Sequence, residues 1–466
     1  MPLPDELAFA TVDTLGQRLR AREFSAVELT EFFLQRLERL GGNFNAVVCV
    51  TRKLAIRQAR QADDELSRGI DRGPLHGIPY GAKDLLATRG IPTTWGAVPY
   101  RNRVIDNDAT VVTRLQTAGA VLAAKLALVE LAGGFGYTQA DAALTGPGRN
   151  PWNPKTWAGG SSSGSAAAVA AGLVPFSIGS ETSGSILTPA GYCGVTGLRP
   201  TYGVVSRYGA MTLSWTMDKL GPLARTAADC RLILNAIAGN DPLDPSTEES
   251  RHRHQETQPR TGKFRLLLLK DATRHVHPDV ARNFDRALKS LGKVAELVEG
   301  ELPDFPYSAV AGTIIDAEMS AALSEVMETG ANWELTAPED RLGGYAPQLV
   351  LARDYINALR IRGQISRGLG QLLTDCDAIA TPTLATTAPP LDEDFATVRG
   401  GYRGTPIVSA GNVAGLPAIS VPNGRDEDGL PTGLQLVGGA FGEDRLLAVA
   451  EAFQQSTEWH CQHPAV

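Results

Sequence analysis

Ser161 and Ser185 lie 24 residues apart, each inside a glycine-rich turn. The first turn reads Gly159-Gly160-Ser161-Ser162-Ser163-Gly164-Ser165 and the second Thr182-Ser183-Gly184-Ser185. Upstream stands Gly81-Ala82-Lys83-Asp84. A serine hydroxyl is a poor nucleophile until a base takes its proton. Histidine is the usual base, yet none of the seven histidines lies near either turn in the sequence. A lysine acting through a second serine is the economical alternative. The glycine beside Ser185 permits the positive φ of a tight turn. Successive amides of Thr182, Ser183, Gly184 and Ser185 can then point at one oxygen, as an oxyanion hole requires. Lys83 must be neutral to accept a proton, although an ordinary lysine titrates near ~10.4. Its neighbours Ile78, Pro79, Tyr80, Leu85 and Leu86 are apolar enough to lower that value by burial, while Asp84 opposes the shift unless it points away.

Other readings of these turns are less chemical. A Gly/Ser run is often a flexible linker, but this one leads directly into the alanine-rich residues 166–171. A phosphate cradle would need GxxxxGK[ST], or GxGxxG after a strand, and neither is present.

The elements that must position these groups are legible from pattern. Ser25-Ala26-Val27-Glu28 is a capping box, and Leu29, Phe33, Leu37 and Leu40 recur at helical spacing before Gly41-Gly42. Residues 75–81 read as a loop entering a short strand that delivers Lys83. Residues 109–118, 165–171, 227–238 and 278–291 read as helices, and 264–269, 417–421 and 433–437 as strands, the last two joined by the turn-rich 422–432. The helix 165–171 separates the two serine turns, so the chain must double back through 174–179 to bring them together. The polar stretch 246–263, with His252 and His254, reads as a surface connection. Strands alternating with helices predict an α/β protein on one large mixed sheet rather than two domains.

Composition narrows the function. The chain has 466 residues, 43% of them hydrophobic, and a formal charge of −7 with both signs mixed along its length. That balance predicts no nucleic-acid or anionic-membrane surface. Cys49, Cys193, Cys230, Cys376 and Cys461 show no CxxC spacing, so neither a disulfide framework nor a metal site is expected. No signal peptide is visible and no apolar run approaches the roughly 20 residues of a membrane span. The expectation is a soluble, cytoplasmic protein, monomeric or homodimeric, whose partner is a small molecule.

The serine segments resemble the amidase signature family, whose members carry a GGSSGGS run and a (D/Q)TGGSIR turn. The resemblance extends to Gly73-Pro74-Leu75-His76-Gly77-Ile78-Pro79 with Lys83-Asp84, to Asn150-Pro151-Trp152, and to residues 193–203 and 218–222. Gly415-Leu416-Pro417-Ala418 and Gly429-Leu430-Pro431-Thr432 resemble the family's closing strands. The resemblance covers nearly the whole chain. It implies one α/β domain over 1–466, with a signature core at about 75–225 and a mixed sheet of about eleven strands. It also implies a Ser–cis-Ser–Lys triad with Ser185 as nucleophile, Ser161 as bridge and Lys83 as base. Hydrolysis of a C–N bond through an acyl-enzyme follows, with no metal or organic cofactor.

The departures concern the substrate. Ser163 and Ser183 stand where the family has glycine, and Glu181 where it has aspartate. Leu187 and Thr188 occupy positions where many relatives carry an arginine that can pair with an acidic substrate. The expectation is therefore an amidase for neutral, apolar or aromatic amides, extending to anilides, esters and carbamates (urethanes). Leu131, Phe135, Leu187, Trp215 and Met217 are expected to line its pocket. The alternative is the glutaminase subunit of a tRNA-dependent amidotransferase, and a remoter one an inactive ligand-binding scaffold.

Overall fold

The computed structural model describes residues 3–247 and 263–466. The connection expected over 246–263, with His252 and His254, therefore lies largely outside the described residues. Among the described residues thirteen strands occur in chain order: β1 Val47–Val50, β2 Pro79–Lys83, β3 Val121–Leu126, β4 Arg149–Asn150, β5 Asn153–Trp157, β6 Phe176–Glu181, β7 Thr196–Arg199, β8 Lys219–Ala224, β9 Phe264–Leu269, β10 Ala295–Gly300, β11 Ala378–Pro382, β12 Ala418–Arg425 and β13 Pro431–Val437. β4 and β5 form a separate two-stranded sheet. The other eleven form one sheet in the order β1-β3-β2-β6-β8-β7-β12-β13-β11-β9-β10. β2 runs parallel to β3 and β6, and β9 parallel to β10 and β11, while the remaining pairs are antiparallel. The protein is a single α/β domain built on this mixed sheet.

Local chemistry explains the frame. Ser25 Oγ accepts from Glu28 N at 3.1 Å and Glu28 Oε2 from Ser25 N at 2.7 Å, so the capping box starts the helix Ala26–Leu40. Tyr80 and Phe176, register partners on β2 and β6, stack with ring centroids 5.4 Å apart. All five residues of β2 are buried, as a strand covered on both faces must be. The helix Ser163–Ala170 is buried over its whole length and consists of Ser, Gly, Ala and Val. Small side chains let it approach the sheet closely. A Cβ on Gly164 would lie 2.4 Å from the Ala46 carbonyl oxygen.

The strand Phe264–Leu269 and the helices Ala227–Ile237 and Pro278–Leu291 match their sequence readings within a residue or so. The closing hairpin differs. β12 continues to Arg425 and β13 begins at Pro431, so the loop spans only 426–430, and Pro422 and Thr432 both sit inside the strands. A register shift between Pro422 and Gly424 absorbs the proline, which has no N–H to give the ladder. No described helix is long and apolar enough to cross a membrane, and no described group of His, Cys, Asp and Glu could hold a metal ion.

Candidate active site

Lys83 ends β2 and is fully buried. Its Nζ donates to Ser161 Oγ at 2.8 Å, Ser162 Oγ at 3.0 Å and Ser180 Oγ at 2.9 Å. Burial pulls its pKa down to about 7, against the opposing charges of Asp218 and Glu181. Asp84 does not oppose the shift, because it points elsewhere. Its Oδ1 meets Lys125 Nζ at 2.8 Å, and Thr94 donates N–H and hydroxyl to Oδ2. Adjacent residues at the end of β2 thus serve two separate clusters, as the alternating directions of extended chain allow.

Ser161 is buried beside this ammonium, and the Gly160–Ser161 peptide is cis. Val129 N donates to Ser161 O at 3.1 Å, and Ser162 N donates to Ser185 O at 3.2 Å. The second bond ties the two serine turns together at the buried helix. Gly184 has φ +91°, the left-handed conformation its lack of a side chain allows. The amides of Ser183, Gly184 and Ser185 have no acceptor among the described residues. That leaves a set of free donors beside the Ser185 hydroxyl. The Thr182 side chain turns away and gives its hydroxyl to Asp218 Oδ1 at 2.6 Å.

The turn is anchored from below. Glu181 Oε2 accepts from Ile186 N at 2.9 Å and Leu187 N at 3.0 Å. Its Oε1 meets Arg199 at 2.7 Å and Asn412 Nδ2 at 3.0 Å. Burial raises the Glu181 pKa, but Arg199 and Lys219 outweigh it and hold the carboxyl at about 2.

Ser185 is half-buried and opens into a cavity of about 340 Å³. Gly160, Ser183 and Thr188 line it near the serine; Tyr137, Trp157, Tyr192 and Phe395 form an aromatic wall; Arg399 and Arg403 stand on the segment that follows. None of the five residues expected to line the pocket does so. Leu131, with φ +49°, and Met217 are core residues. Phe135 packs under Gly343 and Gly344. Leu187 is buried at the start of the helix Leu187–Cys193, although its neighbour Thr188 does reach the cavity. Trp215 is 55% exposed and lines a separate cavity with Ser180, Thr182, Arg207 and Asp218. Nearness in sequence to the signature segments is what these five share, and loop geometry points them away. The real wall comes from β5, from residue 137, from Tyr192 in the helix after Ser185 and from 395–403. Trp157 and Tyr192 lie beside the signature segments, and the others lie far from them in the chain.

The sequence matches the family model described as Amidase over residues 28–447. It is 36% identical to the glutamyl-tRNA(Gln) amidotransferase A-subunit of Carboxydothermus hydrogenoformans, over 98% of this chain and 99% of that one. The fold is similar to the peptide amidase of Stenotrophomonas maltophilia, with a TM-score of 0.85, 31% identity and 98% of each chain covered. It is also similar to a chain from a vestigial protein complex that bears on the origins of an s-triazine catabolic enzyme, with a TM-score of 0.88, 30% identity, and 96% and 98% covered.

Proposed function

The chain belongs to the amidase family, and from that premise we propose that it cleaves the C–N bond of a linear carboxamide through an acyl-enzyme on Ser185. One observation carries the proposal: a buried lysine, neutral above about pH 7, holds the Ser161 hydroxyl at 2.8 Å beneath the turn that carries Ser185. Lys83 takes the Ser161 proton as Ser161 takes the proton of Ser185. The freed Ser185 Oγ attacks the carbonyl carbon, and the developing oxyanion is met by the amides of Ser183, Gly184 and Ser185. Collapse expels the amine, which receives the relayed proton, and water then hydrolyses the ester by the same route in reverse. The test is hydrolysis of benzamide by the purified chain and by Ser185→Ala. Turnover that survives Ser185→Ala would refute the proposal.

A second reading concerns the substrate. Similarity to a component of an amidotransferase over 98% of the chain favours glutamine as the amide cleaved, with the chain acting within an assembly. The expectation of an uncharged acyl group rested on Leu187 and Thr188 in place of an arginine, and Arg399 and Arg403 weaken that reasoning because they bring positive charge from another part of the chain. Ammonia release from glutamine, measured against benzamide, separates the two readings.

A further inference from the structure

Arg399 and Arg403 are the unusual members of the Ser185 cavity. Two buried arginines near the site are matched: Arg199 by Glu181 and Arg207 by Asp244. Arg399 and Arg403, exposed at the rim, have no carboxylate partner among the described residues. Arg399 uses only its Nε, donating to Phe395 O at 3.1 Å, which leaves the outer guanidinium nitrogens open. Arg399 lines the cavity together with Tyr137 and Tyr192. The nearest acid in sequence, Asp394, is spent on the start of its own helix, where Oδ1 accepts from Ala396 N at 2.8 Å and Thr397 N at 3.1 Å.

The strap that carries the pair is held in place. Phe395 N donates to Thr138 O at 2.9 Å, and Arg403 N to His275 O at 2.9 Å. Between the two arginines, Tyr402 meets His277 edge-on at 5.6 Å. Aromatic rings, one of them Phe395 on the strap itself, line the same cavity. Trp157 stacks on Phe395 at 4.4 Å, and Tyr137 meets both edge-on at 5.9 Å. Trp157 is 5% exposed, and its Nε1 has no acceptor among the described residues. The cavity therefore offers free amides beside Ser185, flat aromatic walls and, at its exposed rim, two forked cations. A planar guanidinium is matched by a carboxylate.

We propose that Arg399 and Arg403 form an anion subsite of this cavity, and that the substrate is a carboxamide whose acyl part is flat and ends in a carboxylate. This rests on the reading of Ser185 as the acylated residue. Two amides of equal shape test it: 4-carbamoylbenzoate, and 4-methylbenzamide as its uncharged counterpart. The wild-type chain is expected to favour the carboxylate in kcat/KM by about 10- to 100-fold, the scale of a charge-assisted hydrogen bond. In Arg399→Gln/Arg403→Gln the ratio of the two should fall to about 1, through KM rather than kcat. A ratio unchanged by the double substitution, or a wild-type preference for the neutral amide, overturns the subsite.

Binding is read separately, so that a failure of the hydrolytic reading remains distinguishable. Calorimetric titration of Ser185→Ala with 4-carbamoylbenzoate needs no turnover. Binding that weakens at least about tenfold when both arginines are also replaced, and with added salt, supports the subsite even if neither amide is cleaved. No binding, or binding indifferent to the arginines, overturns it.

Discussion

In the proposed mechanism a single lysine decides the chemistry at the scale of the residue. Three hydroxyls and no carboxylate surround Lys83 Nζ at hydrogen-bond distance, in a site with no solvent exposure. Because burial lowers its pKa to about 7, the base form dominates above that pH and the ammonium below it. We predict that kcat/KM climbs as pH rises through about 7 and then levels off. A pH profile that is flat between 5 and 9 would contradict this assignment. Lys83→Arg keeps the charge and cannot deprotonate, so kcat should fall at least about 10³-fold, the scale seen when a member of such a catalytic set is removed. Steady-state rates on benzamide check it. The lysine and both serines were legible in the sequence because glycine-rich turns and an apolar setting mark them. Ser162 and Ser180 were not. A hydroxyl that contacts Lys83 from across β6 leaves no mark in local pattern, since serine is also a common turn residue.

Elements hold these residues by means of buried charge. Glu181, at the end of β6, carries the two amides that follow Ser185 and is itself clamped by Arg199, which is 1% exposed. Glu181→Gln leaves that guanidinium buried without its anion, at a cost of about 3–5 kcal/mol. Denaturant unfolding should register the loss. A change below about 1 kcal/mol would show that Arg199 does not depend on the pair. A second carboxyl pair clamps the loop that presents Tyr137. Glu130 accepts from Thr336 N at 2.8 Å and Ala337 N at 2.9 Å, and Thr138 gives its N–H and hydroxyl to Glu339, each at 2.9 Å. Asp340 lies against Glu130, and its oxygens meet no protein donor. Burial and then the neighbouring Glu130 push its pKa well up. A carboxyl raised in the folded state is best tolerated while protonated. Stability should therefore fall as pH rises above the unfolded value near ~4. Asp340→Asn removes that slope and should add at least about 1 kcal/mol at pH 8. A thermal melt series from pH 5 to 9 that shows parallel curves for both proteins would refute it. The sequence revealed helices and strands through capping, glycine stops and periodicity. It did not reveal which way the loops face: the φ of +49° at Leu131 is set by tertiary contacts, and it turned an expected pocket residue into core.

For the whole molecule, one sheet collects groups from distant parts of the chain. β2 brings Lys83, β6 leads to the Ser185 turn, and the strap at 395–403 closes the cavity from beyond β11. Alternating strands and helices made the α/β class readable, and ordered motifs over most of the length made the family readable. The cavity wall was not, because residues 137, 157 and 395 converge only in the folded chain. All groups of the proposed relay lie on one chain. Specific activity on benzamide should therefore be independent of enzyme concentration and need no second protein. Activity that appears only on adding another component would instead favour the assembly reading.

The central claim is that Ser185, not Ser161, carries the acyl group. Tryptic digestion leaves both serines on one peptide, whereas chymotrypsin can cut after Phe176 and separate them. The protein is treated with a fluorophosphonate, digested with chymotrypsin and mapped by mass spectrometry. The account predicts the adduct on the peptide that contains Ser185, and no labelling of Ser185→Ala. An adduct on the Ser161 peptide of the wild-type chain would contradict it.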